Sequence, residues 1–233
     1  MVRQERAVRT REAILVAAAK VFDEVGYKAA TISQILEKSG QSKGALYFHF
    51  QSKEELAQAV LSNQLAAVPE VEDEGIVLQR VVDESLLLAH LLRSGDPLVR
   101  GSIRLTIDRG TMRDELDRKV PMQAWVDRGV ELFEAAKENG EVFAHTDVES
   151  VARMFVSGFT GVQMLSSILT GHEDITERVA ELHQHLMTAI AVPSVLVRLD
   201  FAPERAERVH EAAVRRRAER EQARAAEPAA AGV

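Results

Sequence analysis

The stretch SGQSKGALYFHFQSKEEL, residues 39–56, decides the local fold near the N-terminus of this chain. Gly40 can form a turn, and the short segment that follows it is too small to be a stable helix by itself in water. Packing must therefore hold that segment, with Leu46 and Phe50 as its inward anchors and Phe48 as a further core aromatic. Two short helices joined by a glycine-containing turn are the pattern of a helix-turn-helix motif.

The other side chains of this segment suit contact with DNA. Gly44 and Ala45 let the backbone approach another surface closely, and Lys43 offers hydrogen-bond donors to guanine edges. Tyr47 offers a hydroxyl group to a phosphate. The pattern GQSKGA does not predict a phosphate-binding P-loop, because its lysine precedes the second glycine instead of following it.

Charge is distributed unevenly along the chain. The net charge is −7, but residues 1–53 hold nine Lys or Arg against five Asp or Glu, which leaves −11 for the remainder. A basic head on an acidic body indicates that one end meets a polyanion. Arg3, Arg6 and Arg9 are spaced three apart, so they are expected to line one face of an N-terminal extension that reaches the DNA.

The composition excludes several classes of protein. The 233 residues include no cysteine, which removes disulfide frameworks and thiolate metal sites and fits a reducing cytosol. No secretory signal is recognisable, and no apolar run approaches the ~18 residues that a membrane span requires. We expect a cytoplasmic protein without a membrane partner.

Enzyme signatures are missing as well. His183 and His185 are two residues apart on a predicted helix and cannot share a metal from one face. The sequence contains no H-E-x-x-H, and its one G-x-S-x-G match, GQSKG at residues 40–44, lies between two predicted helices and not after a strand, as a nucleophile elbow requires. We therefore predict no catalytic residue, no metal and no cofactor.

Helical periodicity and helix-end signals dominate the chain, so the predicted fold class is all-α. Thr31 with Gln34, and Ser52 with Glu55, have the spacing of helix N-terminal capping boxes. Further amphipathic stretches cover 76–92, 97–107, 121–136, 148–169 and 175–191. The predicted division is a helix-turn-helix domain at 1–52, a helical ligand-binding and dimerisation domain at 53–200, and a charged helical tail at 201–233 that frays at its end.

At this point the sequence resembles the TetR family of transcription regulators. TISQILEKSGQSKGALYFHFQSKEEL matches that family's helix 2–turn–helix 3–helix 4 signature, and TREAILVAAAKVFDEVGY looks like its first helix. Gln41 departs from the pattern, which usually has a small apolar residue there, so the second helix is seated differently or Gln41 gains a DNA contact. The resemblance and the residue chemistry together predict a set of DNA contacts: Arg3, Arg6, Thr31, Ser33, Gln41, Ser42, Lys43, Gly44, Ala45, Tyr47, His49 and Lys53.

In this family the C-terminal domain is a helical dimer with a ligand pocket. The stretch 148–169 is apolar around too much of its circumference for a one-sided surface helix, and Ser157, Gly158 and Gly161 would admit a second helix closely. With the apolar residues of 175–191 it resembles the family's four-helix dimer seam. The alternative is that these side chains form the core of the monomer.

Trp125, the single tryptophan, lies in PMQAWVDRGVELF and by pattern could be core or ligand wall. The sequence is also similar to the γ-butyrolactone and butenolide autoregulator receptors of antibiotic-producing actinomycetes, in which a tryptophan on this helix packs against the hormone. The resemblance assigns that role to Trp125. Residue type and position add the other predicted ligand contacts: Gln64, Leu88, Phe133, Phe155, Phe159, Thr160, Gln163 and Met164.

These observations predict a homodimeric repressor that binds a pseudo-palindromic operator in double-stranded DNA. A small, neutral, mainly apolar lactone-type signal is expected to release it, and control of secondary metabolism is implied. One alternative is a TetR-type sensor of a drug or of an endogenous antibiotic. Another, from a different class, is a helical enzyme or scaffold that retains a DNA module.

Overall fold

A computed structural model describes residues 2–72, 75–107 and 116–226, and among these the side chains of 2–5, 221 and 223–226 are not described. The described residues form eleven helices, with a single isolated antiparallel bridge between Val142 and Ala191. The helices are α1 (Val2–Ala29), α2 (Ile32–Ser39), α3 (Lys43–His49), α4 (Lys53–Ser62), α5 (Val77–Ser94), α6 (Pro97–Ile107), α7 (Lys119–Glu138), α8 (Val148–Thr170), α9 (Ile175–Ile190), α10 (Pro193–Leu196) and α11 (Arg205–Ala226). The all-α prediction is confirmed.

The chain divides into two compact units. The first comprises Met1–Val68 and Ser94–Trp125, and the second comprises Pro69–Arg93 and Val126–Val233. The first unit therefore includes α4 and α6 besides the three N-terminal helices. A functional boundary at residue 52 remains a prediction, since these units are defined by compactness alone.

Helix α1 is the support on which the first unit is built. Its buried residues include Ile14, Ala18 and Phe22, which are fully covered by the neighbouring helices. Helix α6 crosses α1 so closely that a Cβ on Gly101 would lie 2.4 Å from the carbonyl oxygen of Ala19, so only glycine fits there. The helix starts at Val2, earlier than the predicted residue 10, and it bends at Gly26, whose φ of 74° is outside the helical region.

Helix α5 occupies the centre of the second unit and is buried on most of its surface. The carboxylate of Glu141, itself buried, accepts hydrogen bonds from the amides of Val77 (3.0 Å) and Leu78 (2.9 Å) and so caps the first turn of α5. Further along, Asp83 forms a buried, bidentate ion pair with Arg205 of α11. These contacts fix both α7's C-terminal end and the tail helix to the core of the unit.

The tail differs in part from its prediction. The structure has helix α11 in this region, but the first half of that helix is not simply charged surface, because Ala206, Val209 and Ala213 are buried. Exposed Arg220 pairs with Glu70 at 2.6 Å. The predicted fraying of the last residues, 227–233, lies outside the described residues. None of the described helices combines the length and the apolar composition that a bilayer crossing requires.

Candidate DNA interface and ligand-binding core

The turn between α2 and α3 is built by local signals. Thr31 and Gln34 form the predicted capping box, with Thr31 Oγ1 accepting from the Gln34 amide at 3.3 Å and Gln34 Oε1 accepting from the Thr31 amide at 2.9 Å. Gly40 ends α2 in the left-handed conformation with φ 64°, and its amide donates to the carbonyl of Leu36. Ser42 then starts α3 by accepting from the amide of Ala45 at 3.1 Å.

Helix α3 is held by the two predicted anchors. Leu46 is 0% and Phe50 1% exposed, and they are four residues apart on the same face. The aromatic ring of Phe48 is on the opposite side and is 79% exposed, so the expectation that it belongs to the core is wrong. The periodicity contained the signal, because a residue two positions from each anchor is rotated about 200° away.

The uncovered face of α3 contains most of the predicted DNA contacts. Ser42, Lys43, Gly44 and Tyr47 are exposed, and Ala45 and His49 are half-buried. The Lys43 ammonium lies 5.9 Å from the centre of the Tyr47 ring. A Cβ on Gly44 would find only Ser42 Oγ, at 4.0 Å. Glycine is therefore not required there by packing within the chain, although it weakens a helix by about 1 kcal/mol relative to alanine.

The residues that flank α3 are in more varied environments. Thr31 and Ser33 are exposed at the start of α2, and Gln41 is half-buried in the turn. Because Leu46 and Phe50 are fully packed, nothing in α3 indicates an altered seating next to Gln41. The contact predicted for Gln41 remains a prediction.

Lys53 has partners within the protein. Its ammonium donates to the carbonyls of Tyr27 and Ala30, both at 3.0 Å, and lies 4.6 Å from the centre of the Tyr27 ring. Tyr27 Oη also donates to Glu54 Oε1 at 2.9 Å. Backbone and Tyr27 hydrogen bonds lower the pKa of Glu54. The first turn of α4 is thus tied to the end of α1, and the predicted phosphate contact of Lys53 has to coexist with that role.

The N-terminal arginines belong to α1 itself, which is helical from Val2. Arg6 is exposed, whereas the side chain of Arg3 lies outside the described residues. Arg11, which sequence reasoning missed, is exposed and places its guanidinium 5.1 Å from the centre of the Phe50 ring. It therefore lies beside the end of α3, a position that no motif in the sequence indicates.

The predicted ligand contacts fall into both compact units. Gln64 and Trp125 belong to the first, where Gln64 is 5% exposed and Trp125 is half-buried. The other seven belong to the second unit. Leu88, Phe133 and Gln163 are buried, Phe155, Phe159 and Thr160 are half-buried, and Met164 is exposed. Thr160 donates its hydroxyl to the carbonyl of Val156 in its own helix at 2.8 Å.

Aromatic rings meet where α7, α8 and α9 pack together. Phe133 and Phe155 contact edge to face, with ring centres 6.0 Å apart, and Phe155 lies 5.4 Å from the ring of His183. We call these three residues the aromatic cluster. Burial lowers the pKa of His183 to about 3, so its imidazole is neutral at physiological pH. His183 is fully buried while His185 is exposed, which confirms that they do not face one site.

Two of the predicted ligand contacts have a buried polar atom without a partner in the described part of the chain, namely Gln64 Oε1 in the first unit and Gln163 Nε2 in the second. Both ring nitrogens of His183, which was not among the predicted contacts, are buried without a partner there as well. Among the described residues, no three or more His, Asp or Glu side chains are placed to hold a metal ion. The interior of the second unit therefore offers hydrogen bonds and apolar surface without a metal centre among those residues.

Helix α8 has a second apolar face that its own unit leaves uncovered, and it includes Met164. We call this set of side chains the α8 face: Met154, Met164, Leu165, Ile168 and Leu169, which are 43–72% exposed. Gly161 lies on the same side, and a Cβ there would have no neighbour within 4 Å among the described residues, whereas Gly158 packs against Leu182. On α9 the residues assigned to the seam are mostly core, since Val179, Leu186, Met187 and Ile190 are buried.

Comparison with known proteins gives consistent results over most of the chain. Residues 14–60 match the family model for bacterial regulatory proteins, tetR family. The A-factor receptor protein of Streptomyces griseus is 40% identical over 199 residues, which cover 85% of this chain and 70% of that protein. The crystal structure of native TylP, a TetR regulator from Streptomyces fradiae, has 59% identity and a TM-score of 0.86, covering 89% of this chain and 99% of TylP. A γ-butyrolactone receptor described as ArpA-like has 29% identity and a TM-score of 0.64, with 88% of this chain and 98% of that one covered.

Proposed function

The chain belongs to the TetR family of bacterial regulatory proteins, and we propose that it is a homodimeric repressor released from its operator by a γ-butyrolactone or butenolide signal. It is a DNA-binding regulator and not an enzyme. The proposed place of action is the cytoplasm, on the nucleoid when the protein is bound to DNA. Control of secondary metabolism is part of the same proposal.

The uncovered face of α3 gives the strongest support for the DNA-binding part of the proposal. It combines a cation, a hydroxyl and a glycine that packing within the chain does not require. Lysine can read guanine edges, and the tyrosine hydroxyl can donate to a phosphate. In a dimer, two copies of α3 would enter successive major grooves about 34–36 Å apart.

The α8 face supports the homodimer. It is apolar, it includes the open position at Gly161, and its five side chains would lose most of their exposure against a second copy. A contiguous apolar patch on a water-facing helix is typical of an interaction surface. A symmetric dimer would place α8 against α8, which suits the pseudo-palindromic operator proposed for the two α3 helices.

The ligand half is supported by the relatives and by the interior of the second unit. The A-factor receptor and the ArpA-like γ-butyrolactone receptor are similar to this chain along most of its length. The aromatic cluster provides apolar surface, and Gln163 provides a buried donor without a partner in the described residues. A small, neutral, mainly apolar molecule is the ligand that such a lining favours.

Release would follow from a change in the separation of the two α3 helices. Because Lys53 and Glu54 tie α4 to the end of α1, a displacement of α4 would carry the helices of the first unit with it. To change occupancy from nearly full to nearly empty, the ligand must favour the released conformation by about 5.5 kcal/mol.

A mobility-shift titration with DNA from the gene's own upstream region tests this proposal. We expect a shifted complex that a synthetic alkyl-substituted γ-butyrolactone abolishes and that Lys43→Ala weakens. Lys38→Ala is the matched control, since Lys38 pairs with Glu24 and is not on the α3 face. Release by an antibiotic alone would move the protein to the alternative sensor class, and absence of any complex would contradict the DNA-binding half.

A further inference from the structure

His183 has an unusual position for an ionisable residue. It belongs to the buried stripe of α9, together with Ile175, Thr176, Val179, Ala180, Leu186, Met187 and Ile190. Apart from the threonine, its companions in that stripe are apolar. Its side chain is 0% exposed, and its nearest aromatic neighbour is Phe155.

The ring nitrogens of His183 are unsatisfied within residues 2–72, 75–107 and 116–226. Contact with Phe155 supplies van der Waals attraction but no hydrogen-bond acceptor or donor of ordinary strength. A buried polar group without a partner lowers the stability of the fold, because it has lost its hydrogen bonds to water without replacing them. A leucine or phenylalanine would avoid that cost, so the histidine calls for an explanation outside the folding of the unit.

A neutral imidazole has a defined hydrogen-bonding capacity. One ring nitrogen donates and the other accepts, so the ring suits a partner that can do both, such as a hydroxyl group. Burial keeps the pKa of His183 near 3, so the ring has no positive charge to offer an anionic ligand. The chemistry therefore favours an uncharged ligand with a hydroxyl.

A second buried polar group lacks a partner among the described residues, and it lies on α8, the helix that packs against α9. Gln163 of α8 is 4% exposed, and its Nε2 has no partner among the described residues. An amide donor suits a carbonyl oxygen, such as that of a lactone ring. Helices α8 and α9 are packed on each other, as the contact of Gly158 with Leu182 shows.

We propose that His183 is a specificity-determining ligand contact that binds a hydroxyl group on a neutral lactone. The inference rests on the proposed function and deepens it, because it assigns a residue and a functional group to ligand recognition. The aromatic cluster would then hold the apolar part of the molecule, while His183 selects the hydroxylated form over the form that lacks it. A site built to pair a hydroxyl discriminates strongly against an analogue without one.

The test is a double-mutant cycle between protein and ligand, measured by calorimetry on the full chain. The probes are an alkyl-substituted γ-butyrolactone with one hydroxyl group and the same lactone with hydrogen in its place. The variants are His183→Phe, which keeps an aromatic ring against Phe155, and His183→Gln, which keeps a donor and an acceptor. His185→Phe is the matched control, since His185 is exposed on the same helix.

We expect the wild type and His185→Phe to prefer the hydroxylated lactone by about 10- to 100-fold. His183→Phe should bind both lactones with the weaker affinity and melt at the same temperature as the wild type or higher. His183→Gln should recover part of the preference. Retention of the full preference by His183→Phe, or an equal loss of affinity for both lactones, would overturn the inference.

If the proposed function itself is wrong, the binding measurements give a different pattern from the one that a wrong role for His183 would give. If the wild type binds neither lactone, the proposed ligand class is wrong and this inference is overturned with it. If the wild type binds both lactones and is released from the operator, but without preference for the hydroxyl, only the role of His183 is overturned. Circular dichroism of each variant identifies one that has not folded, in which case the His183→Gln result decides between the outcomes.

Discussion

Helices α3 and α8 each present an uncovered face, and the two faces differ in chemistry. On α3 that face has Lys43, Tyr47 and Phe48, whereas on α8 it is mainly apolar, extends from Met154 to Leu169 and includes exposed Ser157. Both faces include a helical glycine whose Cβ position has no neighbour closer than 4.0 Å among the described residues, Gly44 or Gly161. Since glycine is otherwise unfavourable in a helix, such a position leaves room for an external surface, and the side chains around it suit a polyanion on α3 and another apolar helix on α8.

The largest effect is expected from a charge introduced into the α8 face. Ile168→Glu places a charge where the proposed partner helix would bury it, so dimerisation should weaken by about 100-fold or more. Sedimentation equilibrium measures the association constant, and operator binding should fall with it. Val197→Glu is the control, because Val197 is 81% exposed and is not part of the α8 face. A fully dimeric Ile168→Glu protein would show that the α8 face is not the seam.

On α3 the sharpest change is Lys43→Met, which retains much of the side chain's length but removes the ammonium. If Lys43 reads a guanine, operator affinity should fall by about 1–3 kcal/mol and discrimination at one base pair should disappear. Titrations against operators with single base-pair changes measure both quantities. A uniform loss across all these operators, with a shallower salt dependence, would identify a phosphate contact instead.

Unlike the residues of these two faces, His183 is buried, and its lowered pKa predicts how the free energy of unfolding depends on pH. The folded protein takes up a proton at about pH 3, while the unfolded chain does so near 6.5. This contribution to stability is therefore fully present well above pH 6.5 and declines as the pH falls, by roughly 1–2 kcal/mol between pH 6.5 and 5. Urea unfolding of the wild type and of His183→Phe isolates this contribution. Parallel pH profiles would show that the pKa of His183 is not lowered in the folded protein.

The smallest expected effects come from alanine substitutions of Gly44 and Gly161, which compare the two faces directly. Gly44→Ala should raise the free energy of unfolding by about 1 kcal/mol, and Gly161→Ala should do so for the separated monomer, because neither Cβ meets a close neighbour among the described residues. The functional costs should separate, with Gly44→Ala weakening operator binding and Gly161→Ala weakening dimerisation. Thermal melting, mobility shifts and sedimentation on the same preparations check this. Loss of stability in Gly44→Ala, or in monomeric Gly161→Ala relative to monomeric wild type, would mean that the glycine is needed for the fold.

Local sequence signals predicted the helix-turn-helix motif well. The capping box of Thr31 with Gln34, the left-handed turn at Gly40 and the anchors Leu46 and Phe50 all depend on residues within a few positions of each other. The second predicted capping box, Ser52 with Glu55, differs from its prediction. The Glu55 carboxylate accepts from the backbone amide of Gln51 instead of that of Ser52. The prediction for Phe48 was wrong because its aromatic character favours the core, whereas its position two residues from each anchor directs its ring to the opposite side of α3.

Contacts between distant residues were not predictable in this way. The two carbonyls bound by Lys53, the guanidinium of Arg11 beside Phe50 and the ion pair of Asp83 with Arg205 join residues more than twenty positions apart. Likewise, an apolar stripe on α9 looks the same whether it faces its own unit or a partner. The packing of α9 in the second unit decided that its stripe is core.

By itself the sequence determined the all-α fold class, most of the helix ends and the chemistry offered by α3, because backbone hydrogen bonding and side-chain periodicity act over one or two turns of helix. Only the tertiary structure decided which apolar faces are covered and which buried polar groups lack a partner. Burial is a property of what surrounds a side chain from every direction. For His183 that difference is decisive, since the same imidazole would be an ordinary surface residue two positions further along the helix.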